Sequence, residues 1–130
     1  MAEIPKRLYL AGPMSGVAKF NFPVFNQAAE SLRARGHNVF NPAENYDGGV
    51  RRPRSYYMRL DIPALLAAEG VVLLPGWRES RGANLEVWIA ADTGMPLYEY
   101  TTVDGEATLE RVPAPRLPRL PFLDSTGKQR

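Results

Sequence analysis

The segment Val71–Gly76, VVLLPG, offers no polar side chain to either face before Pro75 and Gly76 close it. An apolar run this short reads as a strand covered on both sides, and such strands belong to parallel sheets sandwiched between helices. Parallel strands cannot be joined by tight turns, so each needs a crossover. The rest of the chain supplies both parts. RLYLAG (7–12), HNVFNP (37–42) and MPLYEYTT (95–102) are further short strand signals. NFPVFNQAAESLRARG (21–36) reads as a helix, with Asn21 as candidate cap, Pro23 in the first turn, an apolar stripe of Phe25, Ala28, Ala29 and Leu32, and Gly36 as its stop. SYYMRLDIPALLAAEG (55–70) reads as a second helix disturbed at Pro63, GANLEVWIAADTG (82–94) as a third, and TTVDGEAT (101–108) as a turn that opens a final hairpin. This order predicts a single α/β domain of three layers, α/β/α, around a Rossmann- or flavodoxin-like parallel sheet.

Composition narrows the chemistry. With 130 residues, 45% hydrophobic, the chain can bury one ordinary core, and two independent domains are not expected. It has no cysteine and a single histidine, His37, so disulfides, thiolate metal sites and His-based zinc clusters are ruled out. Catalysis must then fall to carboxylates, hydroxyls, amides and arginines, and no metal or cofactor is expected. The N-terminal MAEIPKRLYLAGPMSG has too short an apolar run for a signal peptide, and no run reaches the roughly 18 residues of a membrane helix. A soluble, cytoplasmic protein without a membrane partner is the expectation.

The net charge of +2 is unevenly placed: residues 111–130 hold five Arg and Lys against one Asp, which leaves residues 1–110 at −2. Residues 1–110 are therefore taken as the α/β domain and 111–130 as a basic, proline-rich arm. Prolines 113, 115, 118 and 121 favour extended chain there. Leu117, Leu120, Phe122 and Leu123 favour an arm laid over its own domain or a neighbouring subunit rather than one bound to nucleic acid.

In such a sheet, ligands gather beyond the carboxyl ends of the strands, so AGPMSG after the first strand and PGWRESRGAN after the third should face one crevice. Gly12, Ser15 and Gly16 from the first loop, with Trp77, Arg78, Ser80, Gly82 and Asn84 from the second, are the candidate substrate-binding residues. Glycines let a backbone approach a ligand, and free amides at a helix start favour an anion. Trp77, Phe20, Phe22 and Tyr46 could form an aromatic wall for a heterocycle, although Phe22 fits core packing equally well.

Three features then combine: YLAGPMSG, an Asp eight residues before the acid that enters the third strand (Asp61 and Glu69), and SRGANLEVWIAADTG with Glu86 six residues after Ser80. Over residues 7–98 this pattern resembles the nucleoside 2-deoxyribosyltransferase superfamily, including its deoxynucleoside 5′-monophosphate N-glycosidase branch and the small phage and bacterial proteins of the DUF4406 type. The resemblance implies Glu86 as the nucleophile at the anomeric carbon, Asp61 as the group that meets the base or relays a proton, and Tyr9 as the residue that places the nucleophile. Glu69 is left as structural. The resemblance also implies that Ser80 meets a 5′-phosphate and that the protein forms a homodimer or higher homo-oligomer; Arg78, Arg81 and Ser15 suit the anion by charge and position, and the aromatic and apolar Tyr56, Tyr57 and Met58 with the leucine-bearing arm suit the contact surface.

The chemistry asks independently for such a set. Rupture of an N-glycosidic bond builds positive charge on the sugar, which one carboxylate can stabilise or capture while a second acid assists the leaving base. An N-glycosidase or deoxyribosyltransferase acting on a 2′-deoxynucleoside 5′-monophosphate or a modified nucleotide is therefore the leading expectation. The alternatives are a non-catalytic nucleotide-binding module and an interaction protein that works through its basic arm.

Overall fold

The computed structural model describes residues 3–48, 50 and 52–113. Five strands, β1 (Arg7–Ala11), β2 (Asn38–Phe40), β3 (Gly70–Leu73), β4 (Leu97–Val103) and β5 (Glu106–Val112), form one sheet in the order β2-β1-β3-β4-β5. The first four run parallel and β5 returns antiparallel to β4. The expected final hairpin is thus present, turning at Asp104 and Gly105, both with positive φ. It carries Arg111 and Val112, the first two residues assigned to the arm, into the sheet, because both pair with β4. The rest of the arm, from residue 114, lies outside the described residues.

Strand alternation decides which helix each residue meets. On β1, Leu8 and Leu10 face α1 (Phe22–Ala34) and pack with Phe25, Ala28, Ala29 and Leu32. Tyr9 and Ala11 face the other layer, α2 (Arg54–Ala67) and α3 (Arg81–Asp92), where Leu65, Ala83, Val87 and Ala90 cover them. The side chains of β3 divide likewise, Val72 to α1 and Val71 and Leu73 to α2 and α3. Apolar packing of this kind does no chemistry by itself; what matters is that Tyr9 enters the layer that also carries two buried acids, Asp61 and Glu86.

Three helix expectations change. Asn21 stands at the start of α1 but does not cap it: with φ of 59° it is left-handed, and its side-chain amide donates instead to the Pro13 carbonyl at 3.0 Å. Lys19 and Phe20 before it are also left-handed, so the β1–α1 loop enters the helix through three consecutive strained residues. Pro63 does not interrupt α2, which runs unbroken from Arg54 to Ala67 with Pro63 on its exposed side. Ser80 caps α3, its hydroxyl oxygen accepting from the Ala83 amide at 3.1 Å, so this helix begins one residue earlier than its sequence suggested.

The strand order reverses direction between β1 and β3, and there the loops after these strands part. Gly12 lets the chain leave β1 close against β3: a Cβ at this position would fall 2.9 Å from the Leu74 Cβ. The crevice that results is lined by both loops and by α2 and α3.

Candidate active site

The cavity encloses about 910 Å³. Gly12, Ser15, Asp61, Ser80, Gly82 and Glu86 line it, so six of the expected site residues, drawn from β1's loop, α2 and α3, are brought together. Tyr9 lies beneath them, fully buried, and its hydroxyl donates a hydrogen bond to the Glu86 carboxylate. Glu86 points inward because it falls on the buried face of α3 with Ala83, Val87 and Ala90. Asp61 does so for the same reason on α2, where Tyr57, Asp61 and Leu65 follow one another at intervals of four.

Both acids are held in unusual states. Burial pushes Glu86 up to about 8; the neighbouring Asp61 charge adds to this, while the Tyr9 hydrogen bond and the Arg54 guanidinium oppose it. Burial also raises Asp61, to about 6, against the pull of the Asn45 side-chain amide, which donates to its Oδ1 at 2.9 Å. Tyr9 is driven far above the ordinary phenol range by burial and then by the two acids, and it remains a donor at any working pH. Two carboxyls of different proton affinity facing one cavity can divide the roles of nucleophile and acid. Among the described residues no cluster of three or more His, Cys, Asp or Glu could hold a metal ion.

Several expected binding residues stand elsewhere. The Trp77 indole donates to Glu99 Oε2 at 3.2 Å, and Arg78 stacks over Trp77 while pairing with the same carboxylate at 3.1 Å. Both residues line a separate pocket of about 410 Å³ beyond β3 and β4. A short helical turn, Trp77–Glu79, rotates them away from the main cavity. Asn84 is spent on structure, its side-chain amide donating to the carbonyls of Trp77, Arg78 and Ser80. Gly16 is exposed, with φ of 80°, and serves a turn rather than the cavity lining.

Phe20, Phe22 and Tyr46 do form the aromatic wall, without Trp77. Its fourth member is Tyr57, stacked on Tyr46 with ring centroids 4.1 Å apart; it was assigned to an exposed contact surface but is buried. Arg54 at the start of α2 was also missed. It lines the cavity three residues before Tyr57, and neither it nor Arg81 makes an ion pair among the described residues. The signal was present: 54, 57, 61 and 65 are spaced as one helix stripe. Glu69 accepts from the Arg7 amide at 3.0 Å, outside the cavity.

No helix among the described residues is long and apolar enough to cross a membrane. No curated protein matches the chain. Among solved structures, the fold is similar to that of a 2-deoxyribosyltransferase from the psychrotolerant bacterium Bacillus psychrosaccharolyticus, with a TM-score of 0.55, 22% identity, and coverage of 71% of this chain and 69% of that one. It is also similar to a conserved protein from Enterococcus faecalis V583, with a TM-score of 0.52 and 21% identity; 74% of this chain spans 63% of that protein. At these identities the likeness is one of fold, a five-stranded, mostly parallel sheet of the 2-deoxyribosyltransferase type flanked by three helices. Residues 6–99 match the family model described as "Domain of unknown function (DUF4406)", and the chain belongs to that family.

Proposed function

We propose that the protein cleaves the N-glycosidic bond of a 2′-deoxynucleoside 5′-monophosphate. The observation that carries this reading is the buried Tyr9–Glu86 hydrogen bond with Asp61 facing the same cavity. In the minor form of the pair that carries its one proton on Asp61 rather than on Glu86, Glu86 attacks the anomeric carbon as the bond to the base nitrogen breaks, and the departing electron pair is met by the proton of Asp61. A glycosyl ester remains. Water, or the nitrogen of a second base, then attacks the same carbon, frees the Glu86 carboxylate and returns a proton to Asp61. Tyr9 keeps the nucleophile oriented through both steps.

Arg54 and Arg81, each in the first turn of its helix, supply cationic partners for a 5′-phosphate, and the Ser15 and Ser80 hydroxyls stand in the same lining. The Ser80 oxygen accepts from the α3 backbone but its proton is still free to donate. The aromatic wall suits a heterocycle. With the sugar's lower face set against the buried Tyr9 and Glu86, a 2′-hydroxyl would crowd the carboxyl, which favours a 2′-deoxy sugar.

The test is direct: the protein is incubated with a panel of deoxynucleoside monophosphates, ribonucleotides and free nucleosides, and released base is followed by chromatography. Base release from deoxynucleoside monophosphates, lost in Glu86→Gln, is the expected result. No release from any member of the panel would overturn the reading.

A further inference from the structure

Tyr57 is only 7% exposed, and its hydroxyl is the one shielded side-chain polar atom among the described residues that has no hydrogen-bond partner. A buried hydroxyl left unmet is a standing cost to a fold, and a native exception to hydrogen-bond satisfaction calls for a reason. Its position supplies one. Tyr57 stands in the wall of the main cavity, one helical turn before Asp61 and on the same face of α2. Its ring lies against Tyr46, which in turn packs on Phe22 with centroids 4.9 Å apart.

We propose that Tyr57 reads the base: its hydroxyl, closed off in the free protein, turns out to the cavity when a nucleotide binds and donates to an acceptor atom, a ring nitrogen or a carbonyl oxygen, on the heterocycle that leaves the sugar. The inference rests on the reading of this cavity as a nucleotide site. With the anomeric carbon at Glu86 and the base reaching toward Asp61, the next group along α2 lies about 6 Å further on, within the span of one heterocycle. Asp61 and Tyr57 then address neighbouring positions of a single base edge. Aromatic stacking alone accepts almost any ring. A buried donor does not, because an analogue without an acceptor leaves it unpaired, and that kind of mismatch discriminates sharply.

Tyr57→Phe tests this in the full chain carrying Glu86→Gln, so that ligands are not consumed. Calorimetric titration with deoxynucleoside 5′-monophosphates and with deoxyribose 5-phosphate should show nucleotide binding weakened about five- to tenfold, and the baseless sugar phosphate bound as before. The free Tyr57→Phe protein should also melt at a higher temperature, because the unmet hydroxyl is gone. Equal losses for both ligands, unchanged nucleotide binding, a lower melting temperature, or a parent protein that binds no nucleotide would each overturn the inference. The glycosidase reading fails in a different way: nucleotides that bind and respond to Tyr57→Phe, yet release no base from the wild-type chain, would refute catalysis and leave base reading by Tyr57 standing.

Discussion

The Tyr9 hydroxyl, carried on β1, donates to the Glu86 carboxylate on α3 across a sequence separation of 77 residues. No local structure demands that meeting; it holds only because the phase of β1 and the phase of α3 both turn toward the α2 side of the sheet. If Glu86 is the nucleophile, Glu86→Gln should lower base release by roughly a thousandfold or more, because removal of a covalent catalyst leaves only binding and acid assistance. Circular dichroism should report an unchanged fold. Turnover within about tenfold of wild type would remove Glu86 from the mechanism.

The two acids predict a pH profile. A nucleophile that must be ionised and an acid that must be protonated give a bell, here with limbs at about 8 for Glu86 and about 6 for Asp61 and a maximum between them. Asp61→Asn discriminates between the assignments. With Asp61 as the acid, the variant loses the alkaline fall and retains a rise governed by Glu86; with the roles reversed, the variant would have no rising limb. Initial rates from pH 5 to 10 separate the two.

Stability should move in the opposite sense to that of most buried ion pairs. Both acids have folded-state values above their ordinary ones, so the fold favours their protonated forms. Their contribution is complete below the unfolded-state values near 4 and is lost as pH rises through about 6 and then about 8. Thermal midpoints should therefore fall between pH 5 and pH 9, and Glu86→Gln should flatten the upper part of that slope. A wild-type midpoint that climbs over this range would contradict the assignment of burial as the dominant cause.

The arginines should sort by location. Arg54→Ala and Arg81→Ala, each removing a charge-assisted phosphate contact of about 1.5–3 kcal/mol, should cut use of a monophosphate at least about tenfold and scarcely change use of the free nucleoside. Arg78→Ala is the internal control. Its exposed pair with Glu99 lies beyond the cavity, and such surface pairs are worth about 0–1 kcal/mol, so kinetics with both substrates should stay within about twofold. Comparable losses in all three variants would place the anion elsewhere.

Hydrophobic period made most of the fold legible. VVLLPG announced a doubly covered strand, and Phe25, Ala28, Ala29 and Leu32 announced the face of α1 that meets the sheet, because burial of apolar area acts on every residue of a periodic segment at once. Turn chemistry was less legible. Asn21 is a good capping residue by type, yet a tertiary hydrogen bond to Pro13 claimed its side chain. Arg78 and Trp77 sat beside Ser80 in sequence, and adjacency was read as convergence; one short helical turn gave them to Glu99 instead. Tyr57 and Arg54 were hidden for the converse reason. They are near Asp61 only along a helix stripe, and a tyrosine on such a stripe looks the same in sequence whether it faces a neighbour, water or a cavity.

The closeness of Gly12 to Leu74 has a consequence for how this chain can change. Cavities are usually enlarged or reduced by exchanging the side chains that line them, and here Phe20, Phe22 or Met14 could be traded with local effects. Gly12 is of another kind, because what it contributes is an absent atom. Even alanine would press on the Cβ of a residue just beyond β3, a backbone-anchored atom with no rotamer to escape into, and the adjustment would pass into the relative position of two central strands. A single methyl group added there would thus alter the floor on which Tyr9, Glu86 and Asp61 are jointly aligned, so the site has one position at which specificity cannot be tuned by degrees.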